Sequence, residues 1–197
     1  MSKTARRPLA NKKRKNSTRK VRGFTNNDYC SPDGMLTQVW GPSMWHFLHT
    51  MSFNYPVNPT SQDKANYKQF LNSMKYVLPC RHCRENLTAN YKKLPLSKET
   101  MKNRDSLSRY IFNLHEKINC QLGKKSGLSY AAVRDRYENF RSRCNRKKKK
   151  TKKEAGCVDS FHGKKSRCLI RIVPESRKCP TLLVDKRCTL SPMSQTD

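Results

Sequence analysis

Apolar residues recur at helical spacing through the middle of this chain, and this periodicity restricts the fold more than any other feature. Between residues 36 and 143 they follow the three-to-four-residue repeat of amphipathic helices, with only short connections. No stretch before Leu169 shows the convincing alternation of a half-buried strand. Several helices joined by short loops indicate a small all-α bundle.

Four longer helices and one short helix are predicted from this pattern. They span residues 40–54, 61–78, 80–91, 104–122 and 129 onward. Thr60 or Ser61 caps the second helix, Pro79 breaks the chain before the short one, and Gly123 ends the fourth. The predicted inward faces are Trp45, Leu48, His49 and Ser52; Tyr67, Phe70, Leu71, Met74, Val77 and Leu78; Leu107, Ile111, Leu114, Ile118 and Leu122; and Val133, Tyr137 and Phe140.

Basic residues are concentrated outside this periodic region. The formal net charge is +29, and residues 1–23 carry ten Lys or Arg and no acidic residue. A second basic run, NRKKKKTKK, follows the last helix, and such runs usually stay solvated and suit phosphate-rich or acidic partners. We therefore predict a disordered basic tail at 1–35, a helical domain at 36–144, a basic linker at 145–156 and a small cysteine-rich appendix at 157–197.

The appendix carries four of the nine cysteines, Cys157, Cys168, Cys179 and Cys188. We expect structural disulfides among them, with a pairing that the sequence leaves open. The segments CLIRIV and TLLVD, which lie between these cysteines, are predicted to form short strands.

The sequence shows no export or membrane signal. No stretch approaches the roughly 20 apolar residues that cross a bilayer, and the basic N-terminus lacks the hydrophobic segment of a secretory signal. Nine cysteines are many for a protein in a reducing compartment. We expect an intracellular protein without membrane association, whose tails direct it to the nucleus, to nucleic acid or to a viral particle.

The only CxxC, within the stretch YVLPCRHCREN, is the main candidate for chemistry. It consists of Cys80 and Cys83, at the predicted start of the short helix. Structural zinc commonly uses a second pair of ligands, and none with that spacing accompanies this one, so we predict no metal site. The helix N-terminus and the neighbouring Arg81, His82 and Arg84 favour thiolate, which indicates a redox-active pair.

A CxxC that cycles between dithiol and disulfide needs an acceptor for two electrons. Trp45 and His49 lie four residues apart on one predicted helix, so both can line a planar ring system. His115 and Asn119 repeat this spacing on another helix. Taken singly, either histidine is more simply a partnered residue at a helix interface. Together with the CxxC they predict a cofactor site.

Three motifs follow one another between Trp40 and Arg143: WGPSMWHFLHTMSFNYP, then CRHC, then LHEKINCQLGK. In this order and at this spacing they resemble the Erv/ALR family of FAD-linked sulfhydryl oxidases. The following stretch YAAVRDRYENFRSRC and the basic flanks are most similar to the versions carried by large nucleocytoplasmic DNA viruses. Neither tail is covered by the resemblance.

The resemblance implies a four-helix bundle with a short fifth helix, FAD held without a covalent bond, and often a homodimer. It places Cys83 next to the flavin and makes Cys80 the sulfur that exchanges with incoming dithiols. Electrons would pass from protein dithiols, or from a thioredoxin-like relay, through the CxxC to FAD and then to oxygen, giving hydrogen peroxide. The implied FAD-contacting residues are Trp45, His49, His115, Asn119, Lys124 and Tyr137.

The chain also departs from the cellular members of this family. No cysteine follows closely after Lys124, so Cys144 lacks its usual partner, and Tyr137 stands where a tryptophan is common. Cys120 is expected to be a buried small residue, while Cys30 and the appendix cysteines are candidates for a shuttle. The viral likeness implies the host cytoplasm, the virus factory and the virion as locations.

A competing hypothesis is a basic nucleic-acid-binding or virion-packaging protein, with the CxxC as a zinc or structural site. Counterion release from phosphates would give such a chain sequence-independent affinity. The basic runs lie outside the predicted bundle, however, and no recognition motif accompanies them. We therefore interpret the tails as tethers for the enzyme, with nonspecific nucleic-acid binding as an added property.

Overall fold

The computed structural model describes residues 23–145, 156–161 and 166–188. Most of the predicted basic tail and of the predicted basic linker therefore lies outside the described residues. The chain divides into two units, Met1–Pro32 and Asp33–Asp197.

The described part of the first unit contains one short helix, α1 (Asn26–Tyr29). Its start is fixed by a reciprocal cap, in which the Thr25 hydroxyl accepts the Asp28 N–H and the Asp28 carboxylate accepts the Thr25 N–H. Local hydrogen bonds of this kind stabilise a single helical turn at the end of a basic segment.

The described part of the second unit contains five α-helices, α2 (Thr37–Phe53), α3 (Ser61–Val77), α4 (Arg81–Lys93), α5 (Arg104–Gln121) and α6 (Tyr130–Glu138). They confirm the all-α prediction, and each predicted helix is present. The caps explain where the helices start: Thr60 and Asp63 form a capping box, and the side chains of Asn103 and Ser129 accept the N–H three residues ahead. No described helix is long and apolar enough to cross a membrane.

One main hydrophobic core lies among these helices. Its buried members are Leu48, Tyr55, Leu71, Met74, Leu78, Leu87, Leu96, Met101, Leu107, Ile111 and Leu114. Burying one such aliphatic side chain is worth about 1.5–3 kcal/mol. The Tyr55 hydroxyl donates to the Met101 carbonyl at 3.0 Å, so its polar atom is satisfied inside the core.

The predicted inward faces are confirmed at their centres and wrong at some ends. The buried positions include Leu48, His49 and Ser52 on α2 and Leu107, Ile111 and Leu114 on α5. Val77 and Leu122, also predicted to face inward, are exposed. Val77 is the last residue of α3 and Leu122 lies just beyond α5, so the helical register no longer directs them to the core. Phe70 is also exposed and lies beside Phe47 at the surface.

A smaller cluster forms where α6 packs on α2. Phe53, Val133 and Tyr137 are buried there. Arg141 donates to the Phe53 carbonyl at 2.7 Å and pairs with the Glu138 carboxylate. The end of α6 is therefore fixed against the end of α2.

A two-stranded antiparallel sheet follows the bundle. Strand β1 (Ser142–Asn145) pairs with β2 (Gly156–Ser160), and a disulfide joins Cys144 to Cys157. Cys144 thus has a partner from the appendix, and Cys157 does not pair with Cys168, Cys179 or Cys188, which are free thiols. The expected set of disulfides among the four appendix cysteines is wrong in this respect.

The two strands predicted in the appendix are also wrong. Residues 168–173 and 181–185 form no strand, and a single 3-10 turn, Lys186–Cys188, follows them. Leu169, Ile170 and Leu183 are exposed, and neither segment has a strand partner among the described residues. A strand without a partner is not stable in water, so the apolar composition of these segments alone does not make them strands.

Candidate active site

Cys80 and Cys83 form a disulfide at the N-terminus of α4. Cys80 is the N-cap of this helix, and its Sγ accepts the Cys83 N–H at 3.1 Å. The two Cα atoms are 5.2 Å apart, which is within the usual range for a disulfide. Both cysteines are half-buried, so the bond lies at the surface of the bundle where a dithiol can reach it.

Arg81, His82 and Arg84 flank the two cysteines in the first turn of α4. Arg81 pairs with Asp33 at 2.9 Å at the surface, and Arg84 donates to the Leu78 carbonyl at 2.6 Å. The side chain of His82 is exposed. The N-terminus of α4 and the two nearby arginines favour thiolate over thiol when the disulfide opens.

Residues 33–37, which we call the flanking segment, lie directly against the CxxC loop. The Met35 N–H donates to the Pro79 carbonyl at 2.7 Å, and the Arg81 N–H donates to the Asp33 carbonyl at 3.0 Å. These two bonds form an isolated antiparallel bridge beside Cys80. The first N–H of α4 is therefore satisfied by the backbone of this segment.

Two further contacts of the flanking segment were not predicted. Gly34 has a φ of +109°, and a Cβ at this position would lie 2.5 Å from the Pro79 carbonyl oxygen, so only glycine fits. The Thr37 hydroxyl lies 3.5 Å from Cys83 Sγ. Residues 33–35 fall within the predicted tail, although the turn signal SPDG already indicates a constrained backbone here.

Three aromatic rings join α2 to α5. The rings of Trp45 and His115 are nearly parallel, with centroids 3.9 Å apart and an interplanar angle of 6°. His49 Nε2 is 3.0 Å from His115 Nδ1, which is a hydrogen-bonding distance. The structure therefore brings together Trp45, His49 and His115, three of the four residues whose spacing indicated a planar ligand.

Tyr137 joins this group from α6. Its ring stacks on His49 with centroids 5.2 Å apart and on Phe53 at 5.6 Å. The Tyr137 hydroxyl is 3.3 Å from His46 Nδ1. His46 was not among the predicted site residues, because its position on α2 lies off the face selected by the 3.6-residue repeat.

Asn119 and Lys124 lie at the C-terminal end of α5. The Asn119 side chain donates to the Glu116 carboxylate at 3.0 Å, and the Asn119 carbonyl accepts the Lys124 N–H at 2.8 Å. Among the described residues neither side chain has a hydrogen bond to the ring group, and that of Lys124 is exposed. Cys120, expected to be buried, is an exposed free thiol, since its side chain leaves α5 on the solvent side.

Burial keeps the two central histidines neutral. It lowers the pKa of His49 to about 3, with further contributions from His115 and His46, and lowers the pKa of His115 to about 4. Burial also raises the pKa of Tyr137 to about 12. At neutral pH the group therefore presents uncharged rings.

One buried polar atom in this group is unpaired. His49 Nδ1 has no hydrogen-bond partner among the described residues, although His49 is almost fully buried. A buried unsatisfied nitrogen costs free energy unless a ligand or water supplies its partner. This atom therefore marks a place where a bound molecule would be stabilised.

The disulfide and the ring group belong to one packed body. Cys83 and Trp45 both pack against the main core. Thr37, which contacts Cys83, and Trp45 lie on the same helix, eight residues or about 12 Å apart along its axis. The fold and the site thus define a helical-bundle protein with a disulfide at a helix N-terminus and a histidine-aromatic group nearby.

Comparison with known proteins agrees with this class. The profile of the Erv1 / Alr family matches residues 42–145, which is more than half of the chain. The chain belongs to the Erv1 / Alr family. The matched range contains the CxxC, the ring group and β1.

Relatives are found in viruses and in cells. A probable FAD-linked sulfhydryl oxidase of Acanthamoeba polyphaga mimivirus is 40% identical over 91 residues, which are 46% of this chain and 64% of that protein. The mitochondrial FAD-linked sulfhydryl oxidase ERV1 of Saccharomyces cerevisiae is 33% identical over 84 residues, covering 43% of each chain. The chain thus spans less than two thirds of the length of these relatives.

Two other matches cover a larger share of the other protein. The FAD-linked sulfhydryl oxidase of African swine fever virus is 28% identical over 99 residues, which are 50% of this chain and 80% of that protein. The crystal structure of the yeast Erv1 core is 25% identical and covers 64% of this chain and 96% of its own, with a TM-score of 0.47.

Proposed function

We propose that this protein is an FAD-dependent sulfhydryl oxidase that forms disulfide bonds in protein substrates. The observation that carries the proposal is the Cys80–Cys83 disulfide at the N-terminus of α4, packed on the same core as the Trp45 ring group. The names of the relatives agree with it. The two sulfurs are bonded to each other, which disfavours a zinc site formed by the CxxC.

The residues present fit FAD. Trp45 and His115 are only half-buried, so their neutral rings leave a surface on which a fused ring system can pack, and the buried His49 Nδ1 needs a partner. Asn119 and Lys124, at the end of α5, add an amide and a cation suited to the polar part of a dinucleotide. Held there, FAD would supply an acceptor for the two electrons of the dithiol and a route for them to dioxygen, which would give hydrogen peroxide.

The chain's own sulfurs carry out the exchange with substrate. A substrate thiolate attacks Cys80 Sγ, a mixed disulfide forms, and the electron pair of the broken bond goes to Cys83 as thiolate. A second substrate thiolate then attacks the mixed disulfide, which releases oxidised substrate and leaves both cysteines reduced. The packing of Cys83 against the core supports Cys80 as the attacked sulfur, because it makes Cys83 the inner member of the pair.

The partners we propose are protein dithiols or a thioredoxin-like relay, dioxygen, and a second copy of this chain. Phe47 on α2 is 50% exposed and Phe70 on α3 is 38% exposed, and their rings meet edge-on with centroids 6.1 Å apart. An aromatic surface patch shared by two helices supports a homodimer. The viral relatives support a viral protein, and we propose the host cytoplasm, virus factory and virion as its locations.

Nonspecific nucleic-acid binding by the basic runs is a further part of the proposal. Its support is the charge of residues 1–23 and 145–153. Deleting both runs should remove a steeply salt-dependent affinity for DNA and leave thiol oxidation intact. If the variant without both runs kept its affinity for DNA, the binding surface would have to lie on the bundle.

The function is tested by absorbance and oxygen uptake of the purified full chain with FAD and a dithiol. We expect a flavin band that bleaches without air and returns with oxygen, together with hydrogen peroxide formation. Cys83→Ser should keep the flavin and lose its reduction by dithiols, whereas Cys120→Ser, which removes an exposed free thiol, should keep both. Turnover that survives in Cys83→Ser, or a protein that takes up no flavin, would contradict the proposal.

A further inference from the structure

We propose that the hydroxyl of Thr37 stabilises the thiolate that forms on Cys83 when the disulfide opens, and so sets how oxidising the Cys80–Cys83 pair is. The inference rests on the sulfhydryl oxidase function proposed above. It gives a role in the exchange reaction to a residue outside the three motifs that carry the family resemblance.

The hydroxyl of Thr37 contacts Cys83 Sγ, the atom that becomes the thiolate. Thr37 Oγ1 lies 3.5 Å from Cys83 Sγ, and a disulfide sulfur carries no hydrogen, so the hydroxyl is the donor. Cys80 Sγ has a different donor, the Cys83 N–H at 3.1 Å. Each sulfur of the pair therefore has its own hydrogen-bond donor, one from a side chain and one from the α4 backbone.

The flanking segment holds this hydroxyl in place. Two backbone hydrogen bonds, of 2.7 Å and 3.0 Å, tie the segment to Pro79 and Arg81 on either side of Cys80. Gly34 lies so close to Pro79 that the two backbones are in contact. Thr37 follows as the first residue of α2, so its position is fixed by the segment on one side and by a helix on the other.

The hydroxyl acts when the disulfide breaks. Attack of a substrate thiolate on Cys80 forms one S–S bond and breaks another, and the displaced electron pair leaves Cys83 as an anion. A hydrogen bond to an ionised acceptor is roughly twice as strong as one between neutral groups. Thr37 therefore binds Cys83 more strongly after the step than before it, and no proton has to move.

Two measurable properties follow from this preference. Stabilising the reduced form makes the disulfide a stronger oxidant of substrate thiols, and a more stable leaving thiolate makes the exchange faster. Loss of the hydroxyl should therefore favour the oxidised CxxC at equilibrium and slow its opening by a dithiol.

The test compares Thr37→Val, which keeps the shape, with Thr37→Ser, which keeps the hydroxyl. The full chain is equilibrated in glutathione buffers at pH 8, and the oxidised fraction of Cys80–Cys83 is read by differential alkylation and peptide mass mapping. For Thr37→Val we expect the equilibrium constant for the oxidised pair to rise about fivefold, or about 20 mV toward more negative potential. Opening by dithiothreitol should slow by a similar factor.

Thr37→Ser keeps the hydroxyl and should stay within about twofold of wild type, which corresponds to about 9 mV. A matched control is Thr50→Val, which removes a hydroxyl from the same helix where it donates to the His46 carbonyl. It should leave the potential unchanged.

Equal potentials for wild type and Thr37→Val would overturn the inference, and so would an equal shift in Thr37→Val and Thr37→Ser. The equilibrium is measured without oxygen or flavin turnover. Failure of the Thr37 effect is therefore distinct from failure of the proposed function, which would show as absence of oxygen-dependent thiol oxidation in the wild-type chain.

Discussion

The helical bundle and the C-terminal region after it are stabilised in different ways. The bundle buries a continuous core in which Leu71, Leu107 and Ile111 have no exposed surface. The described residues of 142–188 contribute nothing to either buried cluster and include Leu183, which is 83% exposed. In that region the order comes from one pair of short strands and the Cys144–Cys157 disulfide.

This difference indicates which part of the chain can carry precise chemistry. Cys83 and Trp45 themselves pack against the core, so the CxxC and the ring group are held to a defined geometry. A strand pair closed by a disulfide can open locally without unfolding the rest. Three measurements follow, in order of decreasing effect on the stability of the bundle.

The largest effect is expected from the core. Leu107→Ala removes a fully buried side chain and should lower the free energy of unfolding by about 2–5 kcal/mol. Leu183→Ala is the matched change at an exposed position and should stay within about 0.5 kcal/mol of wild type. Denaturant unfolding followed by far-UV circular dichroism measures both. Similar losses in the two variants would mean that the C-terminal region has a core of its own.

A smaller loss is expected on acidification, and it should come from the ring group. The pKa of His49 is about 3 in the folded protein and near its ordinary 6.5 when unfolded. Between these values the unfolded chain binds a proton that the folded chain does not, so stability falls as the pH falls. By pH 5 this costs about 2 kcal/mol for His49.

His49→Gln should reduce this pH dependence by about half, as measured by denaturant midpoints at pH 7 and pH 5, because His115, with a pKa of about 4, keeps its own contribution. Leu107→Ala provides the control, because it is destabilised at both pH values yet keeps both buried imidazoles and should keep the slope. An unchanged slope in His49→Gln would show that another group is responsible.

The smallest effect on the bundle is expected from Cys144→Ser. Loss of the disulfide with Cys157 should release the strand pair, while bundle unfolding changes by less than about 1 kcal/mol because the opening is local. Hydrogen exchange at residues 156–160 should become fast, and thiol oxidation should continue. If the free energy of unfolding of the bundle fell by several kcal/mol, the two regions would have to unfold as one cooperative unit.

The helices could be predicted because their signal is repeated many times along the chain. Leu107, Ile111 and Leu114 recur with the period of one helix, and a cap such as Asn103 marks where the period starts. At helix ends the signal fails, since the identity of Val77 does not reveal that α3 stops there. The prediction of two strands in the appendix is wrong for a related reason, because a strand also requires a partner strand, which local composition does not reveal.

The site was only partly predictable. The contacts among Trp45, His49 and His115 follow from a four-residue spacing on two helices that face each other, and the resemblance pointed to the same residues. The contact of Thr37 with Cys83 joins residues 46 positions apart with no periodic signal between them. Whether each predicted residue contacts FAD stays a prediction that flavin binding will test.

The bridge between the flanking segment and the CxxC loop also limits how substrates can be selected. The Pro79 carbonyl and the Arg81 N–H are the groups that an extended peptide would use to add itself as a strand beside the disulfide, and Met35 and Asp33 already occupy them. If the proposed function holds, a substrate protein cannot pair with these two backbone groups unless the flanking segment moves away. Under that function we expect the attacking thiol to come from a protruding cysteine of the substrate and not from a strand paired beside Cys80.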